Sequence, residues 1–191
     1  MKRLYIIAGC NGAGKTTAAY QLLPNLLGIN EFINADEIAR GLSPFNVEGA
    51  AIQAGRLMLT RIKQLIAQGA DFAFETTLAT RSYVQLAKAA QQQGYTVYLL
   101  FFWLHSSQMA IQRVAQRVKE GRHNIPEPTI RRRYTLGLQN FFQLYRPVVN
   151  QWVFVDNVAD EPELIAQSIN LDISIYNKSI WTDLEGTYGV K

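Results

Sequence analysis

Gly9-Cys10-Asn11-Gly12-Ala13-Gly14-Lys15-Thr16-Thr17 comes after the apolar run Leu4-Tyr5-Ile6-Ile7-Ala8 and precedes the helix-like stretch Ala18-Ala19-Tyr20-Gln21-Leu22-Leu23. The spacing is G-x-x-x-x-G-K-[ST], with a strand signal before it and a helix signal after it. Glycines at these positions allow backbone conformations that a β-carbon forbids. Successive backbone N–H groups then point inward and form a cradle for phosphate oxygens. A helix starting near Lys15 adds the positive end of its dipole. The reading makes Gly9, Asn11, Gly12, Ala13, Gly14, Lys15, Thr16 and Thr17 the residues around a bound ATP. Lys15 reaches the β- and γ-phosphates, and the Thr16 hydroxyl ligates the Mg²⁺ that accompanies them. The motif specifies a nucleoside triphosphate and leaves the reaction open.

On the C-terminal side of this loop, strand-like runs alternate with helical patterns. Together with Leu4–Ala8, the runs Glu31–Asn34, Phe72–Phe74, Thr96–Leu104 and Trp152–Val155 read as five strands. Val47–Gln68 and Ser82–Gln93 carry helical periodicity and run into Gly69 and Gly94. Ser106 or Ser107 caps a helix with the stripe Ile111, Val114, Ala115 and Val118. Glu161–Ile169 reads as a further helix, and Ile173–Tyr176 as a peripheral strand. The alternation predicts an α/β fold: a three-layer phosphate-loop NTPase or kinase architecture with a mainly parallel five-stranded sheet and a helical lid. It predicts one domain over residues 1–191, with a lid at about 117–133 and a C-terminal extension at about 171–191. In such sheets ligands bind at the carboxyl ends of the strands.

The residues just past each strand are therefore candidates for chemistry. Asp36 lies beyond the second strand, where a kinase places a carboxylate to orient the acceptor hydroxyl and take its proton. The same aspartate equally suits a helix cap, or a pair with Arg40 one turn on. Glu75 ends the third strand behind Phe72-Ala73-Phe74. It reads as a ligand of Mg²⁺ or its water shell, as a partner for substrate hydroxyls, or as half of a structural ion pair, since an unpaired acid is costly to bury there. Arg81 is either that partner or a substrate-binding cation.

The 191 residues carry a formal charge of +4, 48% hydrophobic and 18% charged residues, and one cysteine. An intrachain disulfide is impossible, and a reducing cytoplasm fits. Cys10 reads as an inert small side chain, the alternative being a thiol acidified by Lys15 and the helix end. The apolar run behind Met1-Lys2-Arg3 ends in the phosphate loop and does not read as a signal peptide. The longest apolar stretch, Val97–Leu104, is too short to cross a bilayer, so no membrane partner is expected. Basic charge concentrates in Arg113, Arg117, Lys119, Arg122, Arg131, Arg132 and Arg133, around the break Gly121-Arg122-His123-Asn124-Ile125-Pro126. A helix–loop–helix with arginines at its bend reads as a lid over a transferring phosphoryl group. One such arginine is worth roughly 10³ to 10⁵ in rate. Some of the seven must simply line a solvated face. The lack of interleaved aromatics argues against a nucleic-acid groove. His105 and His123 lack the spacing of a zinc site.

Taken together, Ile7 to Thr17, Asn34-Ala35-Asp36, Phe74-Glu75-Thr76-Thr77-Leu78, Arg113-Val114-x-x-Arg117-Val118, His123-Asn124-Ile125-Pro126, Arg131-Arg132-Arg133-Tyr134 and Asp156-Asn157 resemble the zeta-toxin type of phosphate-loop kinases. They are closest to a bacterial branch often labelled a predicted ABC-type ATPase, and the similarity covers about residues 3 to 170. The resemblance implies ATP-dependent phosphorylation of a small hydroxyl-bearing substrate, which in zeta toxins is a UDP-activated amino sugar. It further implies Asp36 as base, Glu75, Thr77 and Arg81 on the substrate, and lid arginines, Arg122 and Arg133 among them, on the phosphates. A separate antitoxin protein would be a partner. The chain departs from the family in Cys10, where proline is common, in Arg122, where this branch often has glycine, and in the longer spacing from Glu75 to Arg81. Two rival readings are a nucleotide or polynucleotide kinase and a protein that binds or hydrolyses ATP without transfer. A transport ATPase would need a Leu-Ser-Gly-Gly-Gln-like signature and an Asp-Glu pair ending a strand, which this sequence does not contain.

Overall fold

The computed structural model describes residues 1–121, 123–159 and 161–190. In chain order its elements are β1 (Lys2–Gly9), α1 (Lys15–Leu22) with a π-helical turn (Leu23–Leu27), β2 (Phe32–Ile33), α2 (Ala35–Leu42), α3 (Val47–Gln68), β3 (Phe72–Thr76), α4 (Ser82–Gln92) and β4 (Tyr95–Trp103). Then come α5 (Ser107–Lys119), α6 (Glu127–Asn140) with a second π-helical turn (Phe141–Tyr145), β5 (Gln151–Asp156), β6 (Glu163–Ile169), β7 (Asp172–Ile175) and α7 (Lys178–Tyr188). The strands form one sheet in the order β2-β3-β1-β4-β5-β6-β7. β2, β3, β1, β4 and β5 run parallel, β6 pairs antiparallel with β5, and β7 pairs antiparallel with β6.

β1 shows why the sheet must be covered on both faces. It is buried without interruption from Leu4 to Gly9, so neither face of the strand meets water. α1 and α6 pack on β1, and α4 packs on β4. α3 has the bounds that its periodicity predicts, and Ala50, Ala54, Met58, Ile62, Leu65 and Ile66 form its buried stripe. The Ser106 hydroxyl accepts from Met109 N and so caps α5.

The sheet has seven strands rather than five, and one expected helix is a strand. Glu163–Ile169 pairs antiparallel with β5, with Trp152 opposite Ser168 and Phe154 opposite Ala166. The register shifts between Phe154 and Val155, so Ile165 is an extra residue. This bulge breaks the period-two alternation that would have announced a strand. Leu, Ala and Gln in this stretch favour a helix locally, but pairing with the open edge of β5 overrides that preference. The turn to β7 is a two-residue connection, Asn170 at φ +52° and Leu171 at φ +73°. That geometry matches the right-handed twist of the two strands even though neither residue is glycine.

β7 lies at the sheet edge, as its sequence suggests, but α7 after it is not peripheral. Trp181 is buried and stacks on Trp152 at 5.3 Å and 3°. Phe141 touches Phe101, Phe142, Trp152, Phe154 and Trp181, so the extension closes an aromatic core beneath β4, β5 and β6. Arg146 stacks on Phe142 and Trp181 and bonds to Glu185 at 2.7 Å. Trp181→Ala is expected to cost about 3–5 kcal/mol of unfolding free energy in urea titration. A loss below about 1 kcal/mol would show α7 to be a dispensable appendage.

Candidate active site at the strand ends

The parallel strands all end on one side, and each end delivers a polar group there. β1 runs into the phosphate loop, and the backbone of that loop turns through Gly14 at φ +80°. A β-carbon on Gly14 would lie 2.5 Å from Asn157 Nδ2, which donates to Ala13 O at 2.8 Å. Glycine is thus required both by conformation and by the approach of the β5 end. Asn11, Gly12, Gly14, Lys15, Thr16 and Thr17 line a cleft of about 110 Å³, together with Asp36, Glu75, Arg113 and Arg117. Gly9 and Ala13 are buried and do not line this cleft.

Glu75 holds the centre. Its Oε2 accepts from Thr16 Oγ1 at 2.7 Å and from Asn34 Nδ2 at 2.9 Å, and its Oε1 lies 3.4 Å from Lys15 Nζ. Lys15 is buried and also donates to Cys10 O at 2.9 Å. The partner of Glu75 is therefore Lys15 and not Arg81, which starts α4 on the exposed surface and lines neither the phosphate cleft nor the cavity beside it. A carboxylate beside a threonine hydroxyl offers the hard oxygen donors that Mg²⁺ prefers.

Asn34, to which the sequence alone assigns no role, caps α2 by accepting from Asp36 N at 2.8 Å. This leaves the Asp36 side chain free of capping duty. Arg40 pairs with Glu37 instead, so the Asp36 carboxylate has no hydrogen bond or ion pair among the described residues. It stands on the boundary between the phosphate cleft and a second cavity of about 310 Å³. Asn11, Met58, Glu75, Thr77, Tyr83 and Arg133 are among the residues around this second cavity.

The basic segment divides into distinct jobs. Arg113 is tied to the carbonyls of Asn157 and Val158 at 2.9 and 2.6 Å. Arg131 bonds to Gln108 at 2.9 Å on the surface. Arg117 lines the phosphate cleft with its Nε buried and unpartnered among the described residues. Arg132 and Arg133 line the second cavity, and Arg133 donates to Asn11 Oδ1 at 3.2 Å. Burial pulls the Arg133 guanidinium below its ordinary pKa, while Asp36 acts in the opposite direction. Arg122 lies outside the described residues. Asn34, Arg117 and Asn157 stand within the family-like strings, but no individual role follows for them from the sequence. Their place directly after a strand or on the arginine-bearing helix was the available signal.

Sequence and geometry point the same way. The family model for Zeta toxin matches residues 1–168. The chain belongs to the zeta toxin family. An uncharacterized protein of Haemophilus influenzae is 32% identical over 126 residues, covering 66% of this chain and 88% of the relative. Among solved structures, the AvrRxo1-ORF1:AvrRxo1-ORF2 complex with sulphate ions matches at a TM-score of 0.77 and the same complex with ATP at 0.74, both at 17% identity. Each match covers 96% of this chain, which spans only 63% of that one. The PezAT toxin–antitoxin system of Streptococcus pneumoniae matches at 0.68, with 15% identity, 98% of this chain and 78% of the other. A gluconokinase from Sinorhizobium meliloti shares the fold at 0.53, with 17% identity and 83% of each chain. This zeta toxin relative has the phosphate-loop kinase fold, and among its described residues no helix is long and apolar enough to cross a membrane.

The thiol inside the loop is inert by position. Cys10 is 5% exposed, and burial pushes its pKa up to about 11, against the weaker opposing pull of Lys15 and Arg113. At pH 8 roughly one thiol in a thousand would be ionised. Cys10 should therefore resist a disulfide reagent at pH 8 in the native protein and react at once in guanidinium. Rapid labelling of the native protein would contradict this placement.

Proposed function

We propose that this zeta toxin family member is a kinase that transfers the γ-phosphoryl group of ATP to a hydroxyl of a small molecule. One observation supports this above the others: the unpartnered Asp36 carboxylate faces both the phosphate cleft and the adjoining cavity. A phosphate cradle alone suits many reactions. A free carboxylate between the cradle and a second chamber suits transfer to a second substrate.

In this reading the acceptor enters the cavity walled by Thr77, Tyr83, Met58 and Arg133. Its hydroxyl lies against Asp36, which takes the proton as the acceptor oxygen bonds to the γ-phosphorus. The bond from that phosphorus to the bridging oxygen of ADP breaks, and ADP carries away the electron pair. Lys15 and the loop N–H groups meet the phosphate charge, and Arg117, held in the cleft, meets the charge that moves onto the γ-phosphoryl oxygens. Thr16 would hold Mg²⁺ with Glu75 beside it, and the cation would neutralise the β- and γ-phosphates. Asn34 keeps Asp36 and Glu75 in register, and Arg132 and Arg133 close the cavity on the side facing Asn11. The acceptor proposed is a UDP-activated amino sugar, on the strength of the family motifs around Asp36 and Glu75. Arg81, exposed next to Thr80 of the cavity wall, belongs to the acceptor side of the same proposal. Arg122, the domain and lid boundaries and a separate antitoxin partner belong to the same proposal, and so does a cytoplasmic site of action.

Two substitutions test the assignment with γ-labelled ATP. Lys15→Ala should abolish transfer and weaken ATP binding. Asp36→Asn should lower transfer by about 10² to 10⁴-fold while ATP binding stays within about twofold. Full turnover in Asp36→Asn would remove it as the base. A parallel screen of UDP-sugars, nucleosides and RNA 5′-hydroxyl ends reads out the acceptor. Phosphate release with no labelled acceptor would replace the kinase by an ATPase.

A further inference from the structure

The second cavity is lined by the end of β3 at Thr76 and by Thr77, Ala79 and Thr80 of the loop that follows it. This loop turns through Leu78 at φ +59°, a left-handed conformation that is disfavoured for a residue with a branched side chain. Leu78 is completely buried, so the surroundings and not solvent hold it there. One restraint is local: Leu78 N donates to Thr76 Oγ1 at 3.0 Å.

The other restraints come from α6 and the π-helical turn that continues it. Gly137 faces Thr77 O so closely that a β-carbon would lie 2.6 Å from it. The buried Asn140 donates from Nδ2 to Leu78 O at 2.7 Å. Tyr145 donates to Thr80 O at 2.6 Å. One helical segment thus bonds to two of the loop's carbonyls and packs closely against a third, Thr77 O. The same segment carries Arg132 and Arg133 into the cavity from the other side.

We propose that Asn140 is a positioning residue of the acceptor cavity. By holding the Leu78 carbonyl it keeps Thr77 and Ala79 turned toward the acceptor and couples that wall to the arginines of α6. The proposal rests on reading this cavity as the acceptor site. An aspartate here could not donate, and an alanine would leave a buried carbonyl unpaired. Gly137 acts on the neighbouring carbonyl by steric fit, so it offers an independent way to disturb the same loop. Alanine is the better helix former, so Gly137→Ala moves the loop without weakening α6 itself.

Asn140→Ala and Gly137→Ala are compared with the wild type by hydrogen exchange, ADP titration and initial rates with ATP and UDP-N-acetylglucosamine. The expected result in both variants is at least tenfold faster exchange at Thr76–Ser82, with unchanged exchange at Gly9–Thr17 and an ADP dissociation constant within twofold. KM for the sugar should rise at least tenfold, while KM for ATP and kcat change less than threefold. Unchanged exchange at Thr76–Ser82 in both variants overturns the proposal. So does a general rise in exchange accompanied by weaker ADP binding, which would make the residue merely structural. If Asn140→Ala does not fold, Asn140→Asp, which keeps the volume but cannot donate to Leu78 O when ionised, takes its place with the same expected and overturning results. If the wild type leaves the sugar unlabelled, the acceptor assignment falls, and the exchange comparison still decides the positioning role.

Discussion

The Glu75 carboxylate is the constraint on which the site depends. Its side chain is 10% exposed and faces a lysine side chain only 6% exposed. Neither charge could be left alone at that depth, because removing one leaves the other buried and uncompensated. The pair is completed by Thr16 from α1 and Asn34 from the end of β2. Three separate stretches of chain therefore converge on one carboxylate. β3 supplies it, the phosphate loop answers its charge, and the β2–α2 turn answers its remaining lone pairs. Asn34 then commits its own side-chain oxygen to the N-terminus of α2, and this releases Asp36 from capping. The free aspartate at the boundary of two cavities is a consequence of the buried glutamate behind it.

Much of this arrangement could be read in the residues. The loop from Gly9 to Thr17 carries its meaning in spacing, because few residues can adopt the backbone it needs. Asp36 and Glu75 follow from the rule that chemistry gathers where parallel strands end. α3 follows from periodicity alone, since its buried stripe repeats at helical spacing for 22 residues. The parts that were not legible are those decided by tertiary contacts. β6 looks helical until β5 offers it an edge, and Ile165 hides the alternation at the bulge. α7 owes its place to Trp181, whose partner Trp152 is distant in sequence. No local pattern could say that Glu75 would choose Lys15, 60 positions away, over Arg81, six positions away.

The arginines show the same limit in another form. Seven basic residues in one segment announce a phosphate-binding surface, but charge density does not assign duties. The assignments come from what surrounds each guanidinium. Arg113 faces two backbone carbonyls and holds the β5 end against α5. Arg131 faces Ser107 and Gln108 at the protein surface. Arg117 faces the cleft with a buried donor unused, and an unused buried donor is destabilising unless a ligand meets it.

α6 joins these elements into one mechanical unit. Its first turns bring Arg132 and Arg133 to the cavity, and its last turn brings Gly137 and Asn140 to the loop that forms the opposite wall. Tyr134 on the same helix donates to Leu104 O and accepts from Trp103 Nε1, which pins α6 to the end of β4. Arg133, bonded to Asn11 of the phosphate loop, thus shares a helix with Asn140, which holds the turn at Leu78. One helix thus borders both the phosphate loop and the second cavity.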